Sequence, residues 1–197
     1  MIGLLDYGAG NLRSVQNALD QIGASYEVVR DTAGLDRSSR IILPGVGHFG
    51  QMMRALREMD VREALLQRLA AGIPFLGICL GLHALFERST EAPEATGLGL
   101  FPGDVRRFPA GARVPHMGWN NVTVSPSSRL FDSSSAEPYL YFAHSYFVPL
   151  CQGATASCTY GEPFVAAFER ENIFGVQFHP EKSGPAGLAM LQRFVRL

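Results

Sequence analysis

Short continuous apolar runs alternate with stretches of helical periodicity through the first half of the chain, and that alternation constrains the fold more than any other feature. Ile2-Gly3-Leu4-Leu5, Tyr26-Glu27-Val28-Val29, Arg40-Ile41-Ile42-Leu43 and Pro74-Phe75-Leu76-Gly77-Ile78 read as strands, the third stopped by Pro44-Gly45. Between the first two, Leu12, Val15, Leu19 and Ile22 recur at helical spacing behind Asn11, a residue type suited to an N-cap. Asp60 and Glu63 are spaced like a capping box for a helix carrying Val61, Leu65, Leu66 and Leu69, which Gly72 ends. Strands that are apolar along their whole length have both faces buried, so a mostly parallel sheet flanked by helices is expected.

From about residue 103 the pattern changes. Val122-Thr123-Val124, Leu140-Tyr141-Phe142-Ala143, Phe164-Val165-Ala166-Ala167-Phe168 and Ile173-Phe174-Gly175-Val176-Gln177 are β-like runs separated by Pro, Gly, Ser and Asn. They predict antiparallel or mixed additions to the central sheet. The Ser-rich run 125–135 reads as one surface loop, and residues 186–197 as a closing helix. At 197 residues with 47% apolar and 18% charged content, one domain spanning 1–197 with a large core is expected. A net charge of −1 gives no electrostatic reason for a nucleic-acid or anionic-membrane partner. No run reaches the roughly 18 apolar residues of a membrane span, and the start lacks the basic and apolar regions of a signal peptide. Three cysteines, an odd number without close spacing, argue against a disulfide framework or metal site and point to a reducing cytoplasm. Gly8-Ala9-Gly10 lacks a third matching glycine, so dinucleotide binding is rejected.

The most informative stretch runs from Pro74 to His83. It places Gly77-Ile78-Cys79-Leu80-Gly81 at the end of an apolar strand and before a helical stretch, the cysteine form of a nucleophile elbow. The glycines allow a sharp turn that presents the sulfur at the carboxyl end of the strand. The helix after it aims N–H groups at that point, favouring a thiolate and a developing oxyanion. The bland alternative is a buried structural cysteine; the glycine frame at a strand-to-helix junction argues against it. Cys151 and Cys158 lack the frame and read as ordinary loop or strand residues.

A cysteine nucleophile needs a base, commonly distant in sequence. Of His48, His83, His116, His144 and His179, the last follows the strand-like run 173–178 and precedes Pro180 and Glu181. With His-Pro-Glu extended, both side chains project to one side. The carboxylate then accepts one imidazole N–H and leaves the other nitrogen for Cys79. The rival reading is a surface pair at a strand end. His116 reads equally as a satisfied loop histidine and Trp119 as a core aromatic, while His144 is expected to pack or bond locally.

Together, Gly77-Ile78-Cys79-Leu80-Gly81 and His179-Pro180-Glu181 resemble the class I (triad) glutamine amidotransferases. The runs Asp6-Tyr7-Gly8-Ala9-Gly10-Asn11-Leu12, Pro44-Gly45-Val46-Gly47, Pro115-His116-Met117-Gly118-Trp119-Asn120, His144-Ser145-Tyr146 and Gln177-Phe178-His179-Pro180-Glu181-Lys182-Ser183 narrow the resemblance to the glutaminase subunits of imidazole glycerol phosphate synthase. The resemblance implies a flavodoxin-like (Rossmann-like) α/β fold with additional antiparallel strands, its site at the carboxyl ends of the parallel strands. It implies that Cys79 attacks glutamine, His179 shuttles the proton and Glu181 orients His179. Val46, Gly47 and Leu80 would form the oxyanion hole. Gly45, His83, Glu91, Ser145 and Tyr146 would bind glutamine, Glu91 holding its α-amino group. Asn11, Trp119, Tyr146 and Lys182 would face a (βα)8-barrel cyclase subunit in a heterodimer. No metal or organic cofactor is implied. The lone subunit is expected to be nearly idle, a peptide flip near Val46 completing the oxyanion hole once the partner carries its ligand.

Two positions depart from the family pattern: His83 stands where a Gln is usual, and His48 where a small residue is usual. Neutral His offers one donor and one acceptor in place of an amide's fuller set, so glutamine affinity or its pH dependence is expected to differ. The glutaminase subunit of pyridoxal phosphate synthase, a stand-alone flavodoxin-like cysteine hydrolase and a catalytically silent binding subunit are the alternatives.

Overall fold

A computed structural model describes residues 1–9, 11–132 and 137–197; Gly10 and the 133–135 end of the Ser-rich run lie outside the described residues. The first half runs β1 (Ile2–Leu5), α1 (Leu12–Gln21), β2 (Tyr26–Val29), α2 (Thr32–Arg37), β3 (Arg40–Gly45), α3 (Phe49–Glu58), α4 (Arg62–Ala70), β4 (Phe75–Cys79) and a single turn α5 (Leu80–His83). Next come β5 (Phe86–Ser89), β6 (Phe101–Arg107), β7 (His116–Asn121), β8 (Thr123–Val124), β9 (Tyr139–His144) and β10 (Tyr146–Phe147). The chain closes with β11 (Ala154–Tyr160), β12 (Glu162–Arg170), β13 (Ile173–Val176), a 3-10 turn (Pro180–Lys182) and α6 (Gly184–Arg196).

The main sheet has eight strands in the order β2-β1-β3-β4-β13-β12-β11-β8. The first five are parallel, in the flavodoxin-like order with β13 in the fifth place, and β12, β11 and β8 add antiparallel. Alternate residues feed two cores. Leu5, Ile41, Leu43 and Phe75 pack with Met52, Leu56, Leu65 and Leu69 of α3 and α4. Leu4, Ile42, Leu76 and Ile78 pack with Val15, Leu19, Leu191 and Phe194 of α1 and α6. A sheet covered on both faces explains why the strands carry no polar alternation. Among the described residues no helix is long and apolar enough to cross a membrane.

Several local expectations are corrected. Pro44-Gly45 does not stop β3; β1 pairs only as far as Ile42, so Pro44 falls past that ladder and pairs with β4 alone. Asp60 does not cap α4: it takes a left-handed φ of 55°, its N–H donates to Arg57 O, and Val61 stands at the N-cap without a side-chain bond. Asn11 does occupy the N-cap of α1, but its side chain accepts from Ser14 Oγ instead of a backbone N–H. Only part of the second half joins the main sheet. β5, β6 and β10 form a three-stranded sheet, and β7 with β9 an antiparallel ribbon. The described part of the Ser-rich run is not wholly surface, because Leu130 and Phe131 are buried.

Candidate active site

Cys79 ends β4 with φ 54° and ψ −104°, a region an L-residue occupies at a cost of about 1–3 kcal/mol. The flanking glycines make this turn sterically possible. A Cβ on Gly77 would collide with the backbone of Gly81, and one on Gly81 with the Leu43 carbonyl oxygen. The turn thus folds tightly back over β3 and β4, and a larger residue at either place would open it. The expected helix after the elbow is one turn long before β5 begins.

β13 lies beside β4 in parallel, with Val176 level with Ile78. The chain leaving β13 therefore emerges next to Cys79 and delivers His179 there, almost fully buried. His-Pro-Glu does not stay extended: Pro180 begins the 3-10 turn, and that turn swings Glu181 back under the ring. The outcome matches the expectation by another route, with His179 Nδ1 and Glu181 Oε1 2.9 Å apart and both side chains buried. Ser183 locks the turn, donating to His179 O at 2.7 Å and accepting from Tyr141 N at 3.0 Å. With Nδ1 engaged by Glu181, the other ring nitrogen is left for Cys79. Burial pulls the His179 pKa down, but the charge of Cys79 and its hydrogen bond, then Glu181, outweigh it and raise it to about 10. Sulfur and ring thus lie together, backed by a carboxylate.

A cleft of about 240 Å³ opens over the sulfur. Val46, Gly47, Leu80, His83, Glu91, Ser145 and Tyr146 line it with Cys79, so seven residues scattered through the sequence meet at one place. Gly45 sits behind it, level with Cys79 in β3. Glu91 Oε2 accepts from Phe49 N at 2.8 Å at the start of α3, and Tyr7 Oη donates to Val46 O at 3.2 Å. A nucleophile, a proton carrier and a concave surface bearing a carboxylate can together carry out acyl transfer on a small amide.

A model of the glutamine amidotransferase class-I family matches residues 3–197. The chain belongs to the class-I glutamine amidotransferase family. It is similar to a protein named imidazole glycerol phosphate synthase subunit HisH from Desulfitobacterium hafniense (strain Y51), 47% identical over 98% of this chain and 93% of that one. The protein of the same name from Methanothermobacter thermautotrophicus is 47% identical over 100% of this chain and 98% of its own length. A solved structure titled as a glutamine amidotransferase shares the fold, with a TM-score of 0.78 at 20% identity over 100% of this chain and 99% of that one.

The remaining sequence-predicted residues of this amidotransferase fall in distinct places. Trp119 is not a core aromatic: it is 48% exposed on β7, stacked on Tyr139 and edge-on to Tyr141. Lys182 Nζ lies 5.8 Å from the centre of the Tyr141 ring, so Trp119 and Lys182 share one surface. His48 caps α3, accepting from Gly50 N. His116 is on a strand, not a loop, sandwiched between Phe142 and Tyr160. Its Nδ1 lies 3.0 Å from His144 Nε2, and His144 Nδ1 donates to Tyr146 O at 2.8 Å. Local bonding by His144 is therefore as expected, but its place on the cleft wall was not foreseen. Gln177 and Ser183 also escaped sequence reasoning. The available signal for Gln177 was its position two residues before His179.

Proposed function

We propose that this amidotransferase is the glutaminase subunit of an imidazole glycerol phosphate synthase in histidine biosynthesis. It hydrolyses L-glutamine to L-glutamate and ammonia, and the ammonia goes to a (βα)8-barrel cyclase subunit. That partner converts its ribulosyl formimino substrate to imidazole glycerol phosphate and an aminoimidazole carboxamide ribotide. Residues 1–197 act as one catalytic domain, in the cytoplasm. The observation that carries the reading is the buried His179–Glu181 pair, delivered by β13 beside Cys79 at the carboxyl edge of the parallel sheet.

The chemistry follows from that contact. His179 takes the thiol proton, and the thiolate attacks the carboxamide carbon. The oxyanion is met by N–H groups of Leu80 and the Val46–Gly47 strand. Collapse breaks the C–N bond while His179 returns the proton to the departing nitrogen, releasing ammonia and leaving a glutamyl thioester. Water attacks next, its proton passing to His179. The C–S bond breaks, glutamate leaves, and Cys79 regains its proton. Glu91 receives the substrate α-amino group, with Gly45, Ser145 and Tyr146 around the rest.

Docking is supported by the rim. Met117 lines the cleft and is 64% exposed, and Trp119 and Tyr139 continue an apolar face along the β7–β9 ribbon. With Asn11, Tyr146 and Lys182 this face suits a protein partner. Glutaminase assays of the chain alone, with the cyclase subunit, and with the cyclase plus its ribonucleotide ligand test the proposal. Turnover is expected to rise by at least about tenfold when the ligand joins the complex, a barrier lower by about 1.4 kcal/mol. A lone chain already at full rate, or a complex indifferent to the ligand, refutes it.

A further inference from the structure

Gln177 has no accessible surface and lies just past β13, two residues before His179. The chain bends at Gln177 and Phe178, and the side chains of Gln177 and His179 both turn to Cys79. Gln177 Nε2 lies 3.6 Å from Cys79 Sγ, and Gln177 Oε1 lies 2.8 Å from His83 Nε2. An amide so enclosed needs a match at each end, since a buried polar atom without one costs about 1–3 kcal/mol. Oε1 only accepts, so His83 must carry its proton on Nε2. Burial holds the His83 pKa down to about 4, leaving a neutral ring able to present that N–H. The amide N–H is thereby turned toward the sulfur. Reversing the amide would set an oxygen lone pair against the anionic sulfur of the nucleophile.

Resting on the reading of Cys79 as nucleophile, we propose that Gln177 is a catalytic residue that donates a hydrogen bond to the Cys79 thiolate. His83 is a positioning residue that acts through Gln177 and not on the substrate. This gives the unusual histidine a definite task, holding the Gln177 amide oxygen. The other titratable groups near the sulfur are His179, backed by Glu181, Tyr7, which feels the Cys79 charge, and Glu91, Tyr146 and His144 of the cleft wall, the last of which feels His83.

The test is the pH profile of Cys79 alkylation by iodoacetamide, read by mass spectrometry on the Cys79 peptide so that Cys151 and Cys158 do not contribute. Gln177→Met keeps length and apolar packing but removes the donor. Its thiolate midpoint is expected to rise by about one pH unit, with alkylation near neutrality about tenfold slower. His83→Leu should move the midpoint the same way by less. His83→Gln, whose amide nitrogen takes the place of Nε2, should restore it. His83→Leu should also lower kcat while leaving the glutamine KM within about twofold, where a direct substrate contact would raise KM. An unmoved midpoint in folded Gln177→Met overturns the proposal. If that variant does not fold, equal midpoints in His83→Leu and His83→Gln overturn it. Labelling of wild-type Cys79 by a chloroketone analogue of glutamine, blocked by glutamine, checks the parent reading. Without labelling the nucleophile assignment falls; with labelling and unmoved midpoints only the present proposal falls.

Discussion

His179 is buried, yet its proton is held to about pH 10. Lost hydration pulls an imidazole below its ordinary 6.5, so the rise comes wholly from partners, Cys79 first and Glu181 second. The sign of each change follows. Removing Cys79 leaves burial opposed by Glu181 alone, so Cys79→Ala should lower the His179 midpoint. In imidazole-15N NMR titration His179 should be cationic at pH 8 in the wild type and shifted toward neutral at that pH in Cys79→Ala. An unchanged midpoint would mean that sulfur and ring are not paired. Glu181→Gln removes the orienting charge while keeping the shape. It should reduce kcat by about 10²–10⁴-fold with little change in circular dichroism.

At the scale of elements, the pairing of β4 with β13 brings the two halves of the site together, and the tight fold of α5 over β3 fixes the sulfur. Gly81→Ala would drive a methyl group into the Leu43 carbonyl. Denaturant unfolding should show a loss of about 1–3 kcal/mol, the range for overpacking, with activity falling further because the elbow must open. The parallel strands and the elbow were legible because apolar runs and a Gly-x-Cys-x-Gly frame are local signals. His179 and Glu181 were legible as a pair for the same reason, although the turn that joins them was not: nothing in His-Pro-Glu tells an extended run from one in which Pro180 opens a 3-10 turn. The α5 helix was over-read since nothing in Leu80–His83 announces that β5 follows so soon. Pro44 misled because its cost to a strand depends on where a neighbouring strand ends. The partnership of Gln177 with His83 is 94 residues long in sequence and needs the register of β13 against β4 to be seen.

Across the whole molecule, the chemistry is sunk at the carboxyl edge of the sheet and the apolar ribbon face stands exposed beside it. Trp119→Ala should weaken cyclase binding by about tenfold or more, as for a central aromatic anchor, while the chain's own melting temperature stays nearly constant because the indole is half exposed. Isothermal titration calorimetry against the cyclase subunit would measure it. The central claim is that one buried sulfur becomes acylated by glutamine. Mass spectrometry after rapid acid quench of the complex turning over glutamine should find a glutamyl adduct on the peptide containing Cys79, and none in Cys79→Ala. An adduct on another residue, or undiminished ammonia release by Cys79→Ala, would contradict the account.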